Sequence, residues 1–410
     1  MPLVQDLKQT QISAVRATKD SFLPSINATQ EQSRVELAAF NGRADTVFVD
    51  RAIVELRCGR VVRVNGGDRS WLMSALECCP ESMLEELKRL SGDRLELIVS
   101  GERALALGLS ESAEEVMAVR LPEGWDCDWL HKVAATPFDR ERDAGRFADV
   151  ETVKASWGAE AAITLAKQAH LVPAVVLWEL TGSAATEISK QIALGDILFV
   201  TRQQISDYAE ATAVKLLRVG EARVPLAGCE DTRFVVFRAA SSGTDHVAIM
   251  IGEVDEATPV LVRLHSACLT GDLFGSLRCD CGEQLRSSVE SIAEAGGGII
   301  LYLAQEGRGI GLANKIRAYG LQDQGFDTLD ANKQLGFKDD ERRYEVAAEM
   351  LKMLEIHHVT LMTNNPGKME ALRKSGITIE RRKGVLASIN PHNERYMTCL
   401  LYTSPSPRDS

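Results

Sequence analysis

Three cysteines gather in the run Arg263-Leu-His-Ser-Ala-Cys-Leu-Thr-Gly-Asp-Leu-Phe-Gly-Ser-Leu-Arg-Cys-Asp-Cys-Gly-Glu-Gln284: Cys268, Cys279 and Cys281. A thiolate is a soft, strongly donating ligand. Three of them hold Zn²⁺ and leave a fourth tetrahedral position for water, which is the arrangement of a catalytic rather than a structural site. The alternative is three unrelated core cysteines, since free cysteine is among the most buried residue types. Arg278, Asp280 and Gly282, however, make a poor apolar wall around a Cys-x-Cys pair.

The elements around this run must present it. Apolar strands are expected over 234–237, 247–251 and 260–264, the last delivering the chain to the cysteines. Leu285, Val289, Ile292 and Ala293 are spaced for one face of a helix over 283–294, which Gly296 to Gly298 should stop. A strand over 299–303, the glycine-rich turn Glu306-Gly-Arg-Gly-Ile-Gly311 and a helix over 312–322 follow. After an irregular acidic section, a helix over 343–354 and a strand over 359–362 lead to Thr363-Asn-Asn-Pro-Gly-Lys368. Upstream, the patterns predict helices over 51–60, 80–90, 101–107 and 157–170, and strands over 61–64, 95–99 and 172–177. The segment 180–200 should return to the same sheet. Residues 1–48 read as a loosely attached extension with one helix near 30–40.

Composition narrows the class. At 410 residues the chain is long enough for two domains of ordinary size. A net charge of −11, most of it carried before residue 222, argues against nucleic acid or an anionic membrane as partner, and an anionic substrate is better received by the second half. No run of about 18 uncharged apolar residues predicts a membrane span, and the first 26 residues lack the apolar middle of a signal peptide. Nine cysteines, an odd number at low density, suit reduced thiols and metal ligation. A cytoplasmic protein is expected.

With these motifs in hand, the second half resembles GTP cyclohydrolase II, the zinc enzyme that opens riboflavin synthesis. The match spans roughly Thr244 to Tyr396 and includes Cys-Leu-Thr-Gly-Asp, Ser-Leu-Arg-Cys-Asp-Cys-Gly, Gln-Glu-Gly-Arg-Gly-Ile-Gly-Leu, Gly320-Leu-Gln-Asp-Gln-Gly325, Asp327-Thr-Leu-Asp-Ala-Asn332 and Leu335-Gly-Phe337. The resemblance implies hydrolysis of GTP with opening of the imidazole ring. Formate and pyrophosphate leave, and 2,5-diamino-6-ribosylamino-4(3H)-pyrimidinone 5′-phosphate remains. It implies one Zn²⁺ per subunit on Cys268, Cys279 and Cys281, Mg²⁺ accompanying the GTP, and a homodimer. Zinc lowers the pKa of a bound water from about 15.7 towards ~7. The family's substrate-binding positions fall on Arg263, Leu264, His265, Ser266, Gln284, Glu306, Gly307, Arg308, Tyr319, Thr328, Thr363 and Lys368. Asp340 matches its proton acceptor and Arg342 its nucleophile at the α-phosphorus. A guanidinium with a pKa above ~12 and no free lone pair makes a phosphate clamp the simpler role for Arg342. Read without the family, Lys338 to Arg343 is a solvated charged loop, and Tyr319, three residues after Ile316, is equally a core residue.

Two departures stand out: Ala267 replaces the family's usual Glu, and the C-terminal run Asn-Pro-x-Asn-x-x-Tyr396 breaks off into 398–410, which reads as a non-native tail. From about Arg51 to Tyr208 the chain resembles a degenerate 3,4-dihydroxy-2-butanone 4-phosphate synthase. Ala52-Ile-Val-Glu-Leu-Arg-Cys-Gly-Arg60 matches its opening helix and Gly158-Ala-Glu-Ala-Ala-Ile-Thr-Leu-Ala166 a later segment. Gly158 stands where that family has its catalytic His, and Asn65-Gly-Gly-Asp-Arg-Ser-Trp71 offers one carboxylate where a hard cation wants several. Only Glu179 matches an acidic site position, and a lone strand Glu is more often a salt-bridge partner. The expected architecture is α/β and α+β in two domains. Residues 49–222 form an inactive synthase-like α+β domain serving as a dimer platform or cover, and 223–397 form a mixed α/β cyclohydrolase domain. The rival readings are a bifunctional riboflavin enzyme and a nucleotide-binding regulator without turnover.

Overall fold

Two seven-stranded sheets, each covered by helices on both faces, divide the chain. The computed structural model describes residues 44–122, 124–135, 150–213, 215–240, 242–255 and 258–385. The helix expected near 30–40, the run ending at Tyr396 and the tail 398–410 lie outside the described residues. In the first sheet the strands are β1 (Val62–Gly66), β2 (Arg69–Ala75), β3 (Leu95–Val99), β4 (Met117–Arg120), β5 (Thr152–Lys154), β6 (Ala174–Glu179) and β7 (Leu198–Thr201). Their order is β5-β4-β3-β6-β2-β1-β7, antiparallel throughout except the parallel β1–β7 edge.

Alternation along these strands builds two cores. Val64, Met73, Val175 and Leu177 face the Ala44–Arg57, Trp157–Gln168 and Arg202–Ala213 helices. Leu72, Leu97, Val176 and Trp178 face the other way, onto Glu81–Ser91, Cys127–Ala135 and Gly182–Leu194. Successive side chains on a strand point to opposite faces, so a sheet buried on both sides needs apolar residues at every position. The helix expected over 51–60 is part of a described helix, Ala44–Arg57. It buries Val49, Ala52, Ile53 and Leu56, a stripe at i, i+3, i+4 and i+7.

The second sheet comprises β8 (Leu216–Arg223), β9 (Thr232–Ala239), β10 (Asp245–Gly252), β11 (Val260–Ser266), β12 (Gly297–Leu303), β13 (His358–Met362) and β14 (Thr378–Lys383), in the order β14-β13-β11-β12-β10-β9-β8. The four strands from β14 to β12 run parallel and the rest antiparallel. The first strand of this sheet begins at Leu216. β8 is an edge strand exposed along nearly its whole length, so it carries no burial pattern for the sequence to betray. Gly297 and Gly298 do not end a helix but begin β12, where a Cβ would meet Glu253 O at 2.0 Å and Leu261 O at 2.4 Å.

The acidic section expected to be irregular contains a helix, Thr328–Gln334, capped by Asp327, whose carboxylate accepts from Asp330 N at 2.8 Å. The Asn-Asn-Pro segment likewise opens a helix, Pro366–Lys374, with Asn365 as cap and Pro at its first position. Among the described residues no helix is long and apolar enough to cross a membrane.

Candidate active site

β11 sits in the middle of its sheet and hands the chain at Ser266 to Cys268, the end of a parallel strand where α/β sheets commonly place their ligands. A single π-helical turn, Leu269–Leu273, then a loop, brings it back to Cys279 and to Cys281, the first residue of the Cys281–Glu294 helix. The three sulfurs lie within 4.8 Å of one another, with Cys268 and Cys279 3.6 Å apart. That is far beyond a disulfide bond. Two thiolates at about 2.3 Å from a tetrahedral ion stand roughly 3.8 Å apart, so the spacing fits shared ligation.

The charge balance fits too. Hydrogen bonds from the Cys279 and Cys281 thiols, aided by Lys315, hold Cys268 well below the usual thiol range, while the same contacts push Cys279 and Cys281 up. A divalent cation is what would neutralise three thiolates. Gly271 packs directly beneath them: a Cβ there would lie 2.8 Å from Cys279 Sγ and 3.0 Å from Cys268 Sγ.

Asp272 fixes the first cysteine. Its carboxylate accepts from Cys268 N at 2.9 Å, from Tyr302 OH at 2.9 Å and meets His265 Nε2 at 3.1 Å. His265 is therefore buried behind the cysteines, orienting Asp272 and stacking on Tyr302 at 5.5 Å.

A cleft opens in front of the sulfurs. Ser266, Glu306, Gly307, Arg308, Tyr319, Thr328 and Arg342 line it together with the three cysteines. The turn at its rim has left-handed backbone at Gly307 (φ 63°), Arg308 (φ 60°), Gly309 (φ 90°) and Gly311 (φ 85°). For Arg308 this conformation costs roughly 1 kcal/mol or more, strain of the kind that collects at ligand sites. Glu306 is already engaged on both oxygens, by Lys315 Nζ at 2.8 Å and by Leu269 N at 2.7 Å, which ties the turn to the cysteine loop. Oε1 also accepts from Gly307 N at 3.2 Å, so Oε2 is the oxygen that keeps a further lone pair for a ligand N–H.

Cations collect on the other side. Arg342 makes a two-point ion pair with Asp340 at 2.8 and 2.6 Å. Burial would raise the Asp340 carboxyl, but that pair holds it below its ordinary value. Arg263 and Lys368 lie behind the cleft wall. Arg263 donates to Met362 O at 3.1 Å and to Gln284 Oε1 at 2.5 Å, and Lys368 to Leu264 O at 2.8 Å. Burial first, then the Arg263 and Arg342 charges, push the Lys368 ammonium well below its usual range. Leu264 is in the sheet core, and Thr363 Oγ1 accepts from Asn365 N at 3.0 Å. Between these cations Tyr344 has its ring 5.6 Å from both Arg342 Cζ and Lys368 Nζ. Its buried hydroxyl, the Ser266 hydroxyl and Arg263 Nε find no hydrogen-bond partner in the protein. Buried polar groups are nearly always paired, so these mark where a polar ligand would complete the wall.

Tyr319 lines the cleft and is not core, because Ile316 is 49% exposed. Thr328 Oγ1 accepts from Gln322 Nε2 at 3.2 Å. Lys315 and Asp272 escaped the sequence reading. Lys315 sits one helical turn before Tyr319 and so shares its face, and Asp272 closes the Cys-Leu-Thr-Gly-Asp run.

In the first sheet, Trp71 and Trp157 meet edge to face at 4.1 Å, and a Cβ on Gly158 would lie 2.5 Å from the Trp71 ring. Gly67 and Asp68 form only the tip of the β1–β2 hairpin. Glu179 is partly exposed and paired through both oxygens with Arg69 at 2.6 Å.

The chain is similar to known proteins over most of its length. The family model for GTP cyclohydrolase II matches residues 217–384. A GTP cyclohydrolase-2 of Azospirillum brasilense is 42% identical over 353 residues, 85% of this chain and 91% of the relative. One from Xylella fastidiosa is 38% identical over 360 residues, covering 87% and 86%. Among solved structures, a two-domain 3,4-dihydroxy-2-butanone 4-phosphate synthase from A. baumannii aligns with 83% of this chain and 99% of its own at 14% identity. Its TM-score of 0.31 is too low to argue from. Identity of this extent, running well beyond the cysteine segment, makes the chain an enzyme of the GTP cyclohydrolase II family.

Proposed function

We propose that the enzyme opens the imidazole ring of GTP in a zinc-dependent hydrolysis, releasing formate and pyrophosphate and leaving 2,5-diamino-6-ribosylamino-4(3H)-pyrimidinone 5′-phosphate. The observation that carries this is the convergence of the Cys268, Cys279 and Cys281 sulfurs at one end of a cleft whose other wall is cationic. Zinc held by those sulfurs would supply a Lewis acid and a water acidic enough to ionise near neutral pH.

The chain's own residues do the rest. Arg308 and Arg342 on the cleft wall neutralise the triphosphate, which arrives with Mg²⁺, Arg263 adds positive potential from behind, and Lys368 holds the Leu264 carbonyl of the wall in place. Glu306 and Ser266 present acceptors and a hydroxyl to the guanine edge, and Tyr319 flanks the base. Gln284 and Thr363 hold Arg263 and the Asn365 turn in place. Placement matters because a shift of about 1 Å can cost on the order of 100-fold in rate. Asp340, ionised and clamped to Arg342, is the proton acceptor. Arg342, engaged through two of its nitrogens, remains charged and serves as a phosphate clamp rather than a nucleophile.

The two sheets are read as two domains, the first without activity of its own: Trp71 fills the space over Gly158 and Glu179 is spent on Arg69. The test is to incubate the zinc-loaded protein with GTP and Mg²⁺ while following formate, pyrophosphate and the absorbance of the pyrimidine product. All three should appear in equal amounts. Absence of formate from protein carrying stoichiometric zinc would remove the proposal.

A further inference from the structure

A helix of the first sheet reaches the loop whose Arg342 lines the cleft. At the end of the Trp157–Gln168 helix, Lys167 Nζ lies 2.9 Å from Glu341 Oε1, the residue between Asp340 and Arg342. The pair is only about one-fifth exposed on either side. On its own side Lys167 is anchored by Glu102 at 3.4 Å. Glu341 is in turn the hinge of the Asp340–Arg342 segment. Its Oε1 also accepts from Lys338 N at 3.1 Å, and its backbone N–H donates to Arg308 O at 3.0 Å. The segment rests on Gly309, where a Cβ would stand 2.8 Å from the Glu341 carbonyl carbon and 3.0 Å from Arg342 N. One carboxylate thus connects three things: a cation on the first sheet, the loop carrying Asp340 and Arg342, and the strained turn carrying Arg308.

The surrounding contacts keep Lys167 in register. Ser100 Oγ donates to Gly336 O at 2.7 Å, and Asn314 Nδ2 donates to His170 O at 2.8 Å. Arg317 pairs with Glu77 at 2.8 Å. These grip the segment just before the loop and the helix that carries Lys315 and Tyr319.

We propose that Lys167 is a positioning residue for GTP opening: through Glu341 it holds Asp340 and Arg342 against the Arg308 turn, so the first domain completes the second domain's site. This rests on the assignment of Asp340 and Arg342 made under the proposed function. The physical reason is that Glu341 is a largely buried carboxylate. Losing its cation leaves an uncompensated charge, and the cheapest relief is for the loop to swing its carboxylate to water. Asp340 and Arg342 would move with it.

The experiment is steady-state kinetics with GTP on the full-length zinc-loaded enzyme, comparing wild type with Lys167→Met, Lys167→Arg, Glu341→Gln and the double variant. Lys167→Met should lower kcat/KM by on the order of 10- to 100-fold, as expected for displaced catalytic groups, with zinc content unchanged. Lys167→Arg should recover most of the loss, and the double variant should be no worse than the poorer single one. The exposed Lys190→Met change, in a pair 3.2 Å long on the far side of the first sheet, is the control and should have no effect. Wild-type kinetics from folded, zinc-loaded Lys167→Met would overturn the proposal, as would additive losses in the double variant. If Lys167→Met does not fold, Lys167→Arg and Glu341→Gln decide, and a Glu341→Gln enzyme with unchanged kcat and KM overturns it. Failure of the underlying functional reading shows separately, as wild type that produces no formate.

Discussion

Lys315 Nζ stands 2.9 Å from Cys268 Sγ and 2.8 Å from Glu306 Oε1, so one buried ammonium couples the three-cysteine cluster to the glycine-rich turn. Burial alone would depress it, but hydrogen bonds to Cys268 and Glu306 hold it above its ordinary value. Lys315→Met should remove a fixed charge where negative charge develops, costing on the order of 100-fold in kcat. Metal analysis should still find zinc, and zinc loss on the same scale as activity loss would mean that the lysine serves the ligands rather than the reaction.

Cys279→Ser should abolish both bound zinc and formate release, because serine is a far poorer zinc ligand than a thiolate. Gly271→Ala tests the same site without touching a ligand. Its methyl would press on two sulfurs at 2.8 and 3.0 Å, so zinc affinity should fall while the unfolding midpoint measured with chelator present moves little. Full zinc occupancy and activity in Cys279→Ser would show that the sulfur is no ligand.

Acid should destabilise the second sheet through His246. This side chain is buried, and its Nδ1 accepts from Ala304 N at 3.2 Å, which requires the neutral ring. Burial, opposed by Asp245, depresses its pKa to about 4. Between that value and the unfolded pKa near ~6.5 the unfolded chain binds the extra proton, so stability is full above about pH 6.5 and is lost as pH falls towards 4. Denaturant titrations at pH 7 and pH 5 should differ by about 2 kcal/mol from this residue. The difference should shrink by that amount in His246→Gln, and an equal pH dependence in the variant would rule out His246 as its source.

Ribulose 5-phosphate should not be consumed by this protein, with or without Mg²⁺. Trp71 occupies the space above Gly158, and Gly158→His would have to displace an indole packed at 4.1 Å against Trp157. Turnover of ribulose 5-phosphate above background by the unaltered protein would make it bifunctional.

What sequence could decide was local. The strand 95–99 was readable to the residue because Leu95, Leu97, Ile98 and Val99 are all buried, and the cysteine run pointed to a cluster of sulfurs, which the fold brings together. The helix starting at Thr328 stayed hidden because it is only seven residues long and its acidic composition masks the stripe that buries Ala331. β8 was missed because an exposed edge strand has no face to pattern. Which side chains meet was decided only by the folded chain. The burial of His265, Arg263 and Lys368 behind the cleft follows from the parallel order of β13, β11 and β12. The contact of Lys167 with Glu341 joins residues 174 positions apart, a separation that no local pattern encodes and only the folded chain brings to 2.9 Å.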